Sequence, residues 1–379
     1  MKILMLNYEY PPVGGGGGLI SKYIAEGLAD MGHEIVFITV SDNTKDYVTH
    51  EGNLKLIRLY TGRKKQFKAT VIDMLKWNKC VWKYIKENIN PCDFDFCFAH
   101  FVMPCGALAL RLKKKHGLDY VVMSHGHDIP WVKPISLWVY YIFSFTWIKN
   151  VLKNSNRIFV QSDEMVKNAN RFLPGKYFDR IIKIPNGADN KIFYSQKTRR
   201  NNIIKIIFAG RLVYQKNPFM LLKALNILKR KYNVDFEAFI YGDGHLKKRI
   251  NKYIKKKGLG NCVVLKGRVV PENMPAVYQF GDVFVNTSIS EGMSLALIEA
   301  VFSGLYVIAT PASGNNEIIS LSGRGKIIPF NDYNLLAEEL YKYDKIKNKD
   351  FTLPDEFINN YNWRNIVEKY AKELTSMIK

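Results

Sequence analysis

The chain has 379 residues, of which 47% are apolar and 13% aromatic, so it can form two domains with buried cores and is not a disordered polypeptide. Its five cysteines contain no Cys-x-x-Cys pair, which argues against a disulfide framework or a zinc site. No apolar run reaches the roughly 18 to 20 residues that span a bilayer.

The formal net charge of +22 suits nucleic acid or an anionic membrane. Residues 1–195 contain 27 Lys and Arg against 17 Asp and Glu, and residues 196–379 contain 29 against 17, so neither half is the basic one. The charge is concentrated locally instead. Between Lys55 and Lys86 there are ten basic residues and a single acid, Asp73.

Strand and helix patterns alternate along the chain and predict an α/β fold with two doubly wound, parallel-sheet domains. The pattern pauses at residues 186–200, which we take as the domain boundary. Residues 1–190 then form one domain, 196–361 form the second, and a helix at 362–379 joins the first. The predicted strands are 2–7, 34–40, 54–59, 95–99, 120–124 and 157–161, then 203–209, 235–241, 263–266, 283–286, 306–310 and 325–328.

Doubly wound domains bind ligands at the carboxyl ends of their strands, so polar loops that follow the predicted strands are candidate binding sites. The first such loop runs from Tyr8 into five glycines, Gly14 to Gly18, before a helix predicted at 19–31. Glycines allow close approach of a ligand, and a helix N-terminus attracts anions. A flexible turn is the alternative. The segment does not match the dinucleotide-binding pattern Gly-x-Gly-x-x-Gly, because Leu19 stands where the last glycine of a pattern that starts at Gly14 is needed.

The second loop, after the strand at 120–124, contains His125, His127 and Asp128. A metal site is the weaker interpretation, because such closely spaced ligands rarely enclose an ion without a distant partner. His125 lies nearest the strand end. It is therefore the candidate to bind a sugar hydroxyl or to face a developing charge.

Two further loops carry paired charges. Arg211 and Lys216 follow the strand at 203–209 and can converge on a diphosphate, although two solvated surface cations would look the same. Glu291 follows the strand at 283–286, and we expect a helix after Gly292 with its positive end toward the same diphosphate. Glu291 then points at sugar hydroxyls, and Glu299, two turns later, at a ribose.

These landmarks together resemble the retaining glycosyltransferases of family 4, which have the GT-B fold, two Rossmann-like domains facing a central cleft. Six segments match in the family's order: residues 8–18, 125–129, 185–189, 210–218, 242–244 and 291–299. The resemblance implies that His125, Arg211, Lys216 and Glu291 are catalytic. It also implies a set of donor-binding residues: Gly16, Gly17, Arg211, Lys216, Arg268, Val269, Glu291, Gly292, Met293, Ser294, Leu295 and Glu299.

Within that set, the resemblance places Arg268 and Val269 at the base and Glu299 at the ribose. Met293-Ser294 departs from the bulkier aromatic and proline that relatives often carry, which affects the shape of the sugar pocket. No Asp-x-Asp motif stands at a strand end, so we expect no metal and no other cofactor. Arg211 and Lys216 would neutralise the leaving diphosphate, which itself would take the acceptor's proton. The expected reaction moves a hexose-type sugar from a UDP- or GDP-sugar to a glycan or lipid-linked acceptor.

The basic residues between Lys55 and Lys86 lie in the N-terminal domain, which the resemblance implies binds the acceptor. In a helix predicted at 70–89, four lysines form one stripe, with Trp77 and Tyr84 beside it; they are Lys76, Lys79, Lys83 and Lys86. We expect Val71, Leu75, Trp82 and Ile85 to pack on the domain. A second aromatic segment, 131–152, contains Trp138 and Trp147. Together they predict a peripheral protein at the cytoplasmic face of an anionic membrane. A solvated helix face and ordinary burial are the alternatives.

Three other functions remain open at this level. A nucleic-acid binder would explain the charge, but that charge is spread over both halves and no binding module is present. A nicotinamide-dependent oxidoreductase would use the glycine loop, with Asp42 on the ribose, but leaves Arg211 and Lys216 without a role. A sugar-nucleotide epimerase of the same fold is the nearest alternative.

Overall fold

The computed structural model describes residues 1–67, 69–126, 128–130, 138–195, 203–346 and 352–378, with the backbone alone for 138–143 and 344–346. The chain divides into two compact units. Unit 1 contains residues 1–186 and 363–379, and unit 2 contains residues 187–362.

Unit 1 is built on an eight-stranded sheet with the order β3-β4-β2-β1-β5-β6-β7-β8. Seven strands are parallel. The edge strand β3 runs antiparallel to β4 and was not predicted, because its side chains are mostly exposed and it lacks an apolar run. The strands are β1 (Lys2–Leu6), β2 (Glu34–Val40), β3 (Tyr47–Glu51), β4 (Leu54–Leu59), β5 (Phe96–His100), β6 (Tyr120–Met123), β7 (Arg157–Val160) and β8 (Ile181–Lys183).

Helices cover both faces of this sheet, as expected when successive strand residues point to opposite sides. Leu4 and Leu6 pack into a cluster with side chains of the helices on one face. On the other face, Tyr370 contacts Phe98 and Phe159. The helices of unit 1 are α1 (Gly16–Asp30), α2 (Val71–Asn88), α3 (Ala107–His116), α4 (Trp138–Asn154), α5 (Asp163–Phe172) and, at the end of the chain, α13 (Trp363–Thr375).

Unit 2 has a six-stranded parallel sheet with the order β11-β10-β9-β12-β13-β14. Neighbouring residues of its central strand enter different cores, Ile206 on one face and Ile207 on the other. The strands are β9 (Ile204–Ala209), β10 (Phe236–Tyr241), β11 (Val263–Gly267), β12 (Val283–Asn286), β13 (Tyr306–Ala309) and β14 (Gly325–Ile327). The helices are α6 (Pro218–Lys231), α7 (Lys247–Lys256), α8 (Met274–Phe280), α9 (Leu295–Phe302), α10 (Asn315–Ser322), α11 (Tyr333–Ile346) and α12 (Asp355–Tyr361).

One helix start differs from the sequence prediction. Helix α1 begins at Gly16, so Gly16 and Gly17 are helical and not part of a loop. Helix α9 begins at Leu295, after Gly292 as expected, and Ser294 provides its N-cap. Across the described ranges, none of the helices is both long enough and apolar enough to pass through a bilayer.

Candidate functional site

Each sheet has a topological switch point, where strands leave a central pair in opposite directions. In unit 1 this point lies between β1 and β5, and in unit 2 it lies between β9 and β12. Ligands of doubly wound domains bind at the carboxyl ends of the strands at such points. Arg211 and Lys216 follow β9, and Glu291 follows β12, so the sequence candidates of unit 2 lie at its switch point.

Backbone and side-chain hydrogen bonds join these two loops. The Gln215 side chain donates to the Ser290 carbonyl at 2.8 Å, and the Ile289 amide donates to the Gln215 carbonyl at 2.8 Å. The Thr287 hydroxyl lies 2.9 Å from the Lys216 carbonyl. Both loops are therefore fixed before any ligand arrives.

The Lys216 ammonium forms an ion pair with Glu291 Oε1, and both side chains are largely buried, at 19% and 11% exposed. The Ser288 hydroxyl donates to the same oxygen at 2.6 Å. Lysine and glutamate thus hold each other in place. A partly desolvated ammonium with one carboxylate partner keeps further donors for an anion, since it has three N–H groups.

Arg211 is exposed, and its guanidinium reaches Gln215 Oε1 at 3.5 Å. Arg268 is also exposed, whereas Val269 packs partly against the core of unit 2. The structure therefore places Arg211 beside the loop of Lys216, where it is accessible to a ligand.

The segment before α9 is largely internal. Met293 is buried and packs beside Gly314, and the Asn286 amide donates to the Ser294 hydroxyl at 3.0 Å. Gly292 precedes this segment, and Leu295 is the first residue of α9. The side chains of Met293 and Ser294 therefore serve packing and capping.

Glu299 lies inside unit 2 with 8% of its surface exposed, and Tyr278 donates a hydrogen bond to its Oε2 at 3.0 Å. Burial raises the pKa of Glu299 to about 7, although the tyrosine hydrogen bond acts in the opposite direction. Its charge is therefore variable near neutral pH. The sequence predicted that Glu299 points at a ribose, but it did not predict that the side chain is buried.

In unit 1, the His125 loop is held by the buried Asp128. The Asp128 carboxylate accepts hydrogen bonds from the Ser124 hydroxyl, from the His125 amide at 3.1 Å and from the Val102 amide at 2.8 Å. This carboxylate faces its own backbone rather than an open site. His127 lies outside the described residues. Among the described residues, no three His, Cys, Asp or Glu side chains are placed to hold a metal ion together.

A second histidine, not predicted from the sequence, lies beside His125. His100, the last residue of β5, is fully buried, and its Nδ1 lies 3.3 Å from His125 Nε2. Burial lowers the pKa of His100 well below its ordinary value and that of His125 to about 3. The sequence does contain a signal for His100, because this residue directly follows the predicted strand at 95–99.

The glycine segment lies against this histidine pair. A Cβ on Gly17 would come within 2.6 Å of the Phe101 ring and 3.5 Å of His125 Cγ. Phe101 itself has a φ of 73°, which is unusual for an aromatic residue and typical of functional sites. Gly17 therefore allows α1 to approach His125, and the flexible-turn interpretation does not describe this helical position.

Two buried arginines fix the loop before α1. The Arg58 guanidinium donates to the Pro11 carbonyl at 2.6 Å, and Arg63 donates to the Tyr8 carbonyl at 3.1 Å and the Gln66 carbonyl at 3.0 Å. Arg58 and Arg63 are two of the ten basic residues between Lys55 and Lys86. These two side chains stabilise the fold through their hydrogen bonds to the backbone.

The lysines of α2 are exposed, and Trp82 and Ile85 are buried as predicted, but three other residues of this helix differ from the prediction. Trp77 is buried at 1% exposure, whereas Val71 and Leu75 are 57% and 65% exposed. The buried face is centred on Trp77, Val81 and Ile85, because these residues reach the core while the first turn extends beyond it. In α4, Trp147 is 64% exposed, and the Trp138 side chain lies outside the description.

Asp42, the ribose ligand of the oxidoreductase alternative, instead accepts a hydrogen bond from the Tyr47 hydroxyl. That contact lies at the outer edge of the sheet, away from the switch point between β1 and β5.

Comparisons with known proteins agree with this architecture. The family model described as Glycosyltransferase Family 4 matches residues 14–191, and the one described as Glycosyl transferases group 1 matches residues 190–361. An uncharacterized glycosyltransferase of Methanocaldococcus jannaschii is 25% identical over 97% of this chain and 96% of its own length.

A second relative is the UDP-Gal:alpha-D-GlcNAc-diphosphoundecaprenol alpha-1,3-galactosyltransferase of Escherichia coli, 30% identical over 52% of this chain and 55% of its own length. Among solved structures, Anabaena HepE in complex with UDP and glucose superposes with a TM-score of 0.76 at 17% identity and covers 99% of this chain and 100% of its own. The relatives do not favour the epimerase alternative. The two matched models together span both sheets, and the chain therefore belongs to the GT-B glycosyltransferases of the group 1 and family 4 type.

Proposed function

We propose that this glycosyltransferase moves a hexose-type sugar from a UDP- or GDP-sugar to a glycan or lipid-linked acceptor in cell-surface polysaccharide, lipopolysaccharide or glycolipid synthesis, with retention at the anomeric carbon. The observation that carries the proposal is the Lys216–Glu291 pair at the switch point of unit 2. UDP and glucose in the HepE complex and the lipid-linked acceptor of the Escherichia coli relative support the choice of substrates.

In this proposal Lys216 and Arg211 bind the donor diphosphate, and no metal is required. Glu291 orients the sugar hydroxyls, because its carboxylate is already fixed by Lys216 and Ser288. Fixed charges near a leaving group stabilise a transition state without reorganisation. Glu299 binds the ribose, and His125 lies beside the transferred sugar.

The reaction breaks the bond between the anomeric carbon and the phosphate oxygen, which leaves with the bonding electrons. The acceptor hydroxyl oxygen bonds to the same face of that carbon. Its proton passes to the departing phosphate oxygen, so charge and atoms balance without a protein base.

The test compares Lys216→Ala and Arg211→Ala with Lys326→Ala, a control lysine exposed on the edge strand β14. Loss of one preorganised cation is expected to lower turnover of UDP- or GDP-sugars by roughly 10²- to 10³-fold. The control and the addition of EDTA should leave the rate unchanged. Wild-type rates in both site variants would refute the assignment, and inhibition by EDTA would refute the metal-independent step.

We further propose that α2 binds the cytoplasmic face of an anionic membrane. Its first turns expose Val71, Ile72 and Leu75 next to the exposed lysine stripe, which combines apolar insertion with charge attraction. Helix α7 is also rich in exposed lysines, but its apolar residues Ile250 and Ile254 are buried. Helix α7 therefore offers a control of equal charge.

The membrane test is co-sedimentation with vesicles that contain anionic lipid, at low salt. Each lysine at such a surface contributes about 1 kcal/mol, so replacing four is expected to weaken binding by about 10³-fold. The variant set is Lys76, Lys79, Lys83 and Lys86 to Ala; the control set is Lys248, Lys252, Lys255 and Lys256 to Ala. Equal loss in both sets would show that net charge, and not α2, determines binding.

A further inference from the structure

Gln215 lies between the two cations of the unit 2 site, in a short 3₁₀ turn at Tyr214–Lys216. Its backbone carbonyl accepts a hydrogen bond from the Ile289 amide at 2.8 Å, and its side-chain Nε2 donates to the Ser290 carbonyl at 2.8 Å. Both contacts come from the loop that leads from β12 to Glu291. The backbone and the side chain of Gln215 are therefore held by the same neighbouring loop.

The side-chain amide of Gln215 has a donor end and an acceptor end, and its two neighbours require opposite ends. The Ser290 carbonyl can only accept, so the NH2 group must face it. The Arg211 guanidinium can only donate, and its Nη2 lies 3.5 Å from Oε1, which is long for a hydrogen bond. Both neighbours therefore select the same orientation of the amide, with its oxygen toward Arg211.

Arg211 has few other contacts that keep it in place. Its side chain is exposed, and among the described residues its guanidinium has this one hydrogen bond and no carboxylate partner. A long, exposed side chain loses rotamer freedom when a ligand fixes it, so an anchor in the free protein lowers the cost of binding. A neutral acceptor that takes one of the five N–H donors leaves the other four, and the full charge, for a diphosphate.

The two cations of the site are thus held by different chemistry. Glu291 pairs with the Lys216 ammonium and offsets its charge, whereas the Gln215 amide carries no charge. We infer that Gln215 is a positioning residue that holds the Arg211 guanidinium ready for the diphosphate of the donor without neutralising it. This role rests on the function proposed above, in which Arg211 binds that diphosphate.

A double-mutant cycle tests whether Gln215 acts through Arg211. Gln215→Met keeps the length of the side chain but removes both hydrogen bonds, and it is expected to lower kcat/KM for the sugar nucleotide by about tenfold. In the Arg211→Ala background the same change should alter kcat/KM by less than about twofold, because no guanidinium remains to be held. In the control background Lys326→Ala, on the edge strand β14, the loss should persist. Equal losses in the wild type and in Arg211→Ala would overturn the inference, because Gln215 would then act only through the Ser290 loop.

Gln215→Glu separates the position of Arg211 from its charge. The carboxylate still accepts from the guanidinium, but its negative charge offsets that of Arg211, and the bond to Ser290 is lost as in Gln215→Met. We expect kcat/KM to fall at least as far as in Gln215→Met, although the guanidinium stays in place. A wild-type kcat/KM in Gln215→Glu would contradict the need for an uncompensated Arg211.

Side-chain NMR provides a readout that does not depend on activity. In the full chain labelled with ¹⁵N arginine, the Nε–H signal of Arg211 is identified by its loss in Arg211→Ala. Its order parameter is expected to fall in Gln215→Met and to stay at or above the wild-type value in Gln215→Glu. An order parameter that does not change in Gln215→Met would show that Gln215 does not hold Arg211.

The measurements also separate this inference from the proposed function. If the wild type transfers no sugar from any UDP- or GDP-sugar, the proposed function fails, and the order parameter still shows whether Gln215 holds Arg211. If the wild type is active and the order parameter does not change in Gln215→Met, the positioning role alone fails. If Gln215→Met does not fold, Gln215→Asn takes its place in both tests, because a side chain one carbon shorter does not reach both Ser290 and Arg211.

Discussion

Replacing Glu299 with Gln tests the energetics of the candidate donor site. The carboxyl group is 8% exposed and accepts one hydrogen bond from Tyr278, and burial raises its pKa from an ordinary 4.5 to about 7. The folded chain therefore retains a proton that the unfolded chain has released between these two pH values. Stability is expected to fall as the pH rises through this window.

The size of the effect follows from the shift. One pKa unit corresponds to 1.36 kcal/mol, so the 2.5-unit shift of Glu299 lowers the free energy of unfolding by about 3 kcal/mol between pH 4.5 and pH values above 7. The uncharged amide of Gln can accept the same bond from Tyr278. Glu299→Gln should therefore recover about 3 kcal/mol at pH 8.5 and almost nothing at pH 4.5.

The assay is urea unfolding followed by circular dichroism and by tryptophan fluorescence. All six tryptophans lie in unit 1, so a transition seen by circular dichroism alone belongs to unit 2. The control is Glu339→Gln, since Glu339 is equally buried but pairs with Lys342 at 3.0 Å. Equal pH dependence of unit 2 in the wild type and Glu299→Gln would refute the reasoning.

Two further predictions concern unit 1, read by tryptophan fluorescence. Gly17→Ala places a Cβ 2.6 Å from the Phe101 ring, so we expect it to lower the free energy of unfolding by about 1 to 3 kcal/mol. The control Gly15→Ala places its Cβ in open space and should lower this free energy less. Equal losses in the two variants would contradict the close approach of Gly17 to Phe101. Because the pKa of His125 is lowered to about 3, the free energy of unfolding of unit 1 should fall by up to about 5 kcal/mol as the pH falls from 6.5 toward 3. The raised pKa of Asp128 offsets part of this loss. If the free energy of unfolding depends on pH in His125→Gln as it does in the wild type, the prediction is wrong.

The fold could be predicted from the sequence because parallel strands buried on both faces leave continuous apolar runs. The predicted strands at 34–40, 54–59 and 283–286 coincide with β2, β4 and β12. Loops that follow such strands gather at one edge of a sheet. The loops that carry Arg211 and Glu291 could thus be assigned to a common edge, and both lie at the switch point of unit 2.

The interior of the site could not be predicted in the same way. His100 and His125 are 25 residues apart and meet because β5 and β6 are neighbours, which no local pattern encodes. The burial of Glu299 depends on Tyr278 from another helix. In α2, helical spacing gave the exposed lysine stripe, but it could not show that Trp77 rather than Leu75 reaches the core.

The buried arginines also change what the net charge means. Between residues 55 and 86, the guanidinium groups of Arg58 and Arg63 donate hydrogen bonds to backbone carbonyls, and the Arg63 side chain is only 4% exposed. Neither buried guanidinium can contact a lipid headgroup, and the Arg63 guanidinium also lies 4.0 Å from the Glu9 carboxylate, which offsets its charge. The cations of this segment that an anionic membrane can contact are therefore exposed lysines, and four of them form the stripe on α2. Vesicle binding should follow α2 and its apolar first turn, and not the formal charge of the chain.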